Sequence, residues 1–264
     1  MLDTLHIVLG VLSGALVGFS LGLVGGGGSI LAVPLMVYLV GVKSPHIAIG
    51  TSALAVAANA ALGLFNHARQ GTVIWRCGLM YAAAGIAGAF AGSTFGKAFD
   101  GQRLLFLFAI VMIVVGVLML RRRNQVGIEG AQCNREYAHK VLGYGLGTGA
   151  FSGFFGIGGG FLIVPGLVAS TSMPMINAVG TSLVAVTAFG LTTAFNYALS
   201  GLVDWLLAAL FIGGGIVGSL AGTKAAKRLS GGGHLTKVFA SLIFVVAAYM
   251  LLKSGSALIY PEVR

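Results

Sequence analysis

Two identical triplets, Gly50-Thr51-Ser52 and Gly180-Thr181-Ser182, stand 130 residues apart. Each precedes an Asn of the same phase, Asn66 and Asn196, and each follows a glycine run, Gly25–Gly28 and Gly156/Gly158–Gly160. These residues offer hydroxyl, amide and backbone N–H donors but no formal charge. Consecutive glycines permit a turn other residues resist. The helices that follow, starting near Ser29 and Gly160, open with N–H groups that lack intrahelical partners and carry the positive end of the helix dipole. Such an end suits an anion. Gly27, Gly28, Ser29, Gly158, Gly159 and Gly160 are therefore expected to border a small anion, with Thr51, Ser52, Thr181 and Ser182 adding donors and Asn66 and Asn196 nearby. Leu at Gly28 or Gly159 should then block the site and leave the fold intact. Competing structural roles are a hydroxyl bonded back to its own helix carbonyl and an Asn pinning a neighbouring turn.

What is missing narrows the chemistry further. Asp3, Asp100, Glu129, Glu136, Asp204 and Glu262 are all the acidic residues, and each falls at a segment end or in a loop. Carriers of cations usually place a carboxylate within the membrane, and a cation here finds no counter-charge. An anion held by N–H and O–H groups leaves no buried positive charge when the site is empty. Enzyme chemistry lacks its parts: there is no carboxylate pair, no Cys/His nucleophile arrangement and no metal cluster. No cofactor is implied. The glycine runs are not phosphate-binding loops, because no Lys-Ser/Thr follows them. His67 aligns with Tyr197 near a segment end, and Asn59 has no polar counterpart.

The elements that must position these groups are hydrophobic throughout. Of 264 residues, 57% are hydrophobic and 8% charged, against about a quarter charged in soluble domains. The chain reads as an all-α integral membrane protein, and 43 glycines fit helices that approach closely through small residues. A net charge of +10 reads as Lys and Arg at helix ends, setting topology and meeting lipid headgroups, rather than as a nucleic-acid surface. The expected partners are a small anion and membrane lipid, without nucleic acid.

An internal repeat organises the chain. Residues 14–34 match 145–165 at nine of 21 positions, and residues 50–75 match 180–205 at 12 of 26. The reading is a first transmembrane repeat over 1–121, a polar linker over 122–138 and a second repeat over 139–264. Apolar runs fall near 5–24, 29–42, 47–67, 73–97, 103–121, 139–157, 160–173, 176–199, 203–227 and 235–253. Each half thus begins with a glycine-broken helix pair followed by three spans. With the linker in the cytoplasm, pairs that return to their side of entry put 11 of the 16 Lys and Arg inside, whereas pairs that cross put nine inside. The positive-inside rule favours return. The halves then insert in opposite directions, as two inverted-topology repeats, and the two glycine-broken ends approach each other near the midplane. Gly14, Gly18 and Gly22, with Gly145, Gly149 and Gly153, recur every fourth residue and read as packing faces.

The doubled motif "GLVGGGGSILAVPL" and "GFFGIGGGFLIVPGL", each followed by "GTS", resembles the TauE/SafE sulfite exporter family of bacterial membrane proteins from about residue 8 to 255. The resemblance implies a multi-pass carrier of the bacterial cytoplasmic (inner) membrane for sulfite or organosulfonates such as sulfoacetate. Such a carrier would hold its anion at the paired helix N-termini and work by alternating access. An anion or small-solute channel is the alternative, distinguished by flux that does not saturate.

Overall fold

The computed structural model describes residues 4–121, 135–156, 160–229, 241 and 243–253. The linker expected over 122–138 lies mostly outside them. Among the described residues the chain is helical without strands: α1 (Thr4–Val24), a 3-10 stretch Gly25–Leu31, a single turn α2 (Ala32–Pro34) and a π-helical stretch Leu35–Leu39. Then come α3 (Pro45–Arg69), α4 (Trp75–Ala98), α5 (Gly101–Arg121), α6 (Arg135–Phe155), α7 (Gly160–Thr171), α8 (Met175–Ala198), α9 (Trp205–Leu229) and α10 (Ile243–Lys253). Among the described residues six helices, α1, α3, α4, α5, α8 and α9, are long and apolar enough to cross a membrane. Leu16, Phe90, Val217 and Leu252 lie on the outside, each about half exposed or more, as suits a bundle whose solvent is lipid.

Glycine decides which helices meet. Gly10, Gly14 and Gly18 lie against Leu207, Phe211 and Gly215 in turn, so α1 and α9 run parallel. A methyl group at Gly14 or Gly18 would overlap the backbone of α9. Gly145, Gly149 and Gly153 meet Tyr81, Gly85 and Ala89 in the same manner, so α6 and α4 run parallel. The expected packing faces are present at these positions; Gly22 is only half-buried. Each half therefore lends its first helix to the other half's long helix. The central pair differs: Gly50 meets Tyr197, Gly190 meets Ala53 and Ala57, and Gly63 meets Leu183, so α3 and its repeat counterpart α8 run antiparallel.

These directions fix the path between α1 and α3. The short connection 199–204 reverses the chain between α8 and α9, so α9 runs with α3, and α1 runs with both. The stretch from Gly25 to Leu39 must carry the chain back. Gly28 lies against the backbone of Ser20 and Leu21, contacts that only a folded-back chain can make, since seven residues of straight helix span about 10 Å. By the same reasoning α6 and α8 share a direction, and α7 is the second return. The first return departs from the expected turn followed by a regular helix: Gly25–Leu31 stays in 3-10 geometry and only Ala32–Pro34 is α-helical. Pro34 and Pro165 lie within the two returns, where each removes one backbone donor.

Candidate functional site

The register of α3 on α8 locates the expected donors. With Gly50 at Tyr197 and Gly63 at Leu183, Thr51 stands level with Asn196, and Thr181 level with Asn66. Fifteen residues of α3 separate Thr51 from Asn66, about 22 Å of helix. The expected Thr, Ser and Asn residues of α3 and α8 thus form two groups, one toward each end of the bundle.

Within the groups the hydroxyls are engaged in different ways. Thr51 Oγ1 accepts the backbone N–H of Asp204 at 2.9 Å, and Thr181 Oγ1 accepts that of Ile74 at 2.9 Å. Ile74 and Asp204 are themselves repeat counterparts, immediately before α4 and α9. Each threonine thereby ties its helix to the turn that opens the long helix of the other half. Ser52 and Ser182 donate back to Ile49 O at 3.0 Å and Val179 O at 2.8 Å, the local bond available to any helical serine. All four side chains are fully buried.

Asn196 sits in a closed network. Its Nδ2 donates to Ser93 Oγ at 2.6 Å and Thr94 Oγ1 at 2.9 Å. Lys97 Nζ donates to Asn196 Oδ1 at 2.9 Å, to Asn196 O at 3.0 Å and to Ser200 Oγ at 2.9 Å. Three donors meet three acceptors, and the ammonium also sits at the negative end of α8. Asn66 is half-buried near the end of α3, where its carbonyl accepts from Gln70 N at 3.3 Å. Gly27 and Gly28 lie in the 3-10 stretch, and Ser29 and Gly160 are buried. Gly158 and Gly159 lie outside the described residues. Gly28 is itself a packing glycine, so the expectation that Leu there blocks a site and spares the fold does not hold: any side chain meets the backbone of α1.

Several buried polar atoms have no partner. Asn59, 1% exposed, bonds through neither Nδ2 nor Oδ1. Its amide rests on Gly215 at the α1–α9 seam, and in the other half the ring of Phe189 rests on Gly85. Ser152 Oγ, Thr193 Oγ1 and Tyr197 Oη are fully buried and unpartnered as well. Residues held in common by both halves did not point to these four. A different signal marks them: each is polar where the repeat counterpart, Phe189, Leu21, Gly63 or His67, is of another kind.

Among the described residues the fully buried polar side chains are Ser, Thr, Asn and Tyr, none of them charged. The interior can therefore donate hydrogen bonds without supplying a counter-ion, an arrangement suited to a small anion stripped of water.

Known proteins agree with a transport role. Residues 10–250 match the family model described as "Sulfite exporter TauE/SafE". A "Probable membrane transporter protein" of Xylella fastidiosa is 53% identical over 94% of this chain and 95% of its own length. "Probable membrane transporter protein YdhB" of Bacillus subtilis is 28% identical over 79% of this chain and 86% of its own. A further "Probable membrane transporter protein", from Methanocaldococcus jannaschii, is 26% identical over 90% and 94%. No solved structure matches the chain. A multi-pass helical bundle, an uncharged polar interior and a family match across nearly the whole length converge: the chain belongs to the sulfite exporter TauE/SafE family of membrane transporters.

Proposed function

We propose that the protein is a secondary transporter of the bacterial inner membrane that moves small sulfur-containing oxyanions, sulfite or organosulfonates such as sulfoacetate, by alternating access. The two halves act as inverted repeats. The antiparallel packing of the counterparts α3 and α8 supports this reading, because a two-fold axis relating them must lie across the helices rather than along them. Trp75 and Trp205 add to it: these counterparts, 49% and 66% exposed, begin helices of opposite direction, and so stand as interface anchors at opposite ends of the bundle.

The observation that carries the substrate class is the buried donor set without charge. Hydroxyls and helix-start N–H groups stabilise an oxyanion, and repel nothing when it leaves. Both glycine-broken returns bring backbone into the bundle, where irregular geometry is tolerated only against protein or a water-lined cavity. Rocking of one part of the inverted pair against the other would expose them alternately to the two sides. Uptake of radiolabelled sulfite and sulfoacetate by liposomes containing the purified protein tests the reading. Saturable flux is expected, and no anion-dependent flux with any of these anions would overturn it.

A further inference from the structure

The two returns are equivalent in chain path but not in chemistry. The second one runs beside three unused hydroxyls. Gly153 of α6 meets Ala89 of α4. The contacts Gly85–Phe189 and Ser93–Asn196 set α8 beside α4 so that Thr193 is level with the same Ala89. Ser152 and Thr193 therefore share one level of the bundle. One turn further along, Gly156 ends its helix against Ile49, and the Tyr197 ring lies against Gly50. Ser152, Thr193 and Tyr197 thus stand toward the end of the bundle at which α3 begins, and the side-chain oxygen of each is fully buried and without a hydrogen-bond partner. Gly156 lies four residues before the start of α7, so the N-terminal end of that twelve-residue helix stands within about 14 Å of Gly156. At the first return the same three positions are Leu21, Gly63 and His67: two of them have no donor to offer.

We propose that the anion is bound at the second return alone, with the hydroxyls of Ser152, Thr193 and Tyr197 as its side-chain donors and the start of α7 as its backbone dipole. The proposal rests on the transport reading above and names the site within it. Buried hydroxyls that bond to nothing cost stability, and an oxyanion supplies the acceptors that all three lack. Lys97, 6.0 Å from the Tyr197 ring, lies at the same end of the bundle and favours arrival of negative charge there. The first return is then the mechanical counterpart of the second, matching its movement without holding substrate.

The test uses Ser152→Ala, Thr193→Val and Tyr197→Phe, each removing one oxygen and keeping the shape. Taking away an unpartnered hydroxyl leaves folding neutral or improved, so thermal unfolding in detergent should show Tm at or above the parent value. Gly63→Ala is the control at the position equivalent to Thr193; its nearest neighbour, a methyl of Leu183 at 3.4 Å, leaves room for it. Two readouts are taken: saturable sulfite uptake by liposomes, and the rise in Tm that sulfite produces. Each hydroxyl variant should raise KM for sulfite about tenfold, the worth of a hydrogen bond to a charged group, and shrink the sulfite-induced shift in Tm. Gly63→Ala should stay within about twofold of the parent. Parent-like KM in all three hydroxyl variants, with saturable flux in the parent, overturns the site and leaves the transport reading standing. Absence of flux and of any sulfite-induced Tm shift in the parent overturns both.

Discussion

The hydroxyl of Thr51 accepts the backbone N–H of Asp204 at 2.9 Å, across 153 residues of sequence. Thr181 repeats the contact with Ile74. Both threonines are fully buried. Thr51→Val keeps the shape and strands a backbone donor, which costs about 1–3 kcal/mol. Thermal unfolding in detergent should show a lower Tm for Thr51→Val and for Thr181→Val, with Thr51→Ser close to the parent. An unchanged Tm in the valine variants would show that water satisfies the freed N–H and that the bond contributes nothing.

The glycine seams give a sharper contrast. Gly18→Leu and Gly149→Leu must push α1 off α9 and α6 off α4, since backbone stands where the side chain would go. Neither variant should accumulate as a monodisperse protein. Gly28→Leu belongs with them, because its neighbours are Ser20 and Leu21 of the folded-back chain. Gly143 has nothing within 4 Å, and Gly143→Ala should gain about 0.5–1 kcal/mol from reduced backbone freedom in the unfolded chain. Size-exclusion profiles of the four proteins separate the cases: a symmetric peak for Gly18→Leu would refute the seam.

Lys97 clamps the end of α8 through three hydrogen bonds. Lys97→Met retains the length and removes the charge. The carbonyl and carboxamide oxygens of Asn196 are then left without that donor, at a cost of about 1–3 kcal/mol. The fall in stability should match that of the double variant Lys97→Met/Asn196→Leu to within about 1 kcal/mol, because the two residues form one unit. Fully additive losses would show two independent contributions.

Asn59 predicts the opposite sign. Its amide is buried with no partner, and Leu has the same branching with no polar atom. Asn59→Leu should therefore raise stability by about 1 kcal/mol or more, read as an increase in Tm. A fall would mean that the amide has a bonded partner in solution.

The sequence disclosed most of the architecture. Among the described residues the apolar runs fall on helical segments, the repeat pairs α1 with α6 and α3 with α8, and the charge count favours returning pairs. Hydropathy and phase carry that information directly. Which groups stand together was not legible, because proximity depends on how counterparts pack. An antiparallel α3–α8 pair sends Thr51 and Thr181 to opposite ends, and no local pattern reports that. Polar residues kept in both halves include those with structural work in both, such as the two threonines. Ser152, Thr193, Tyr197 and Asn59 are not among them, since their distinction is to differ from their counterparts. Gly28 misled for another reason: a side chain's absence looks the same in sequence whether ligand or backbone fills the space.

The exchange of first helices between halves also governs how the protein can be made. α1 emerges first, yet the surface that its glycines fit is on α9, whose first residue comes 181 residues after Val24. At 5–20 residues per second, that is a wait on the order of 10–40 s. During it, α1 sits in the bilayer with an uncovered small-residue groove, open to other helices or to the insertion machinery. Both glycine seams join one half to the other, so a chain that stops after α5 leaves both of them unformed. Closure of the α1–α9 seam is the late step, and it waits until α9 enters the membrane. Quality control can then read completion of the chain from one seam, because α1 docks only when almost everything else is present.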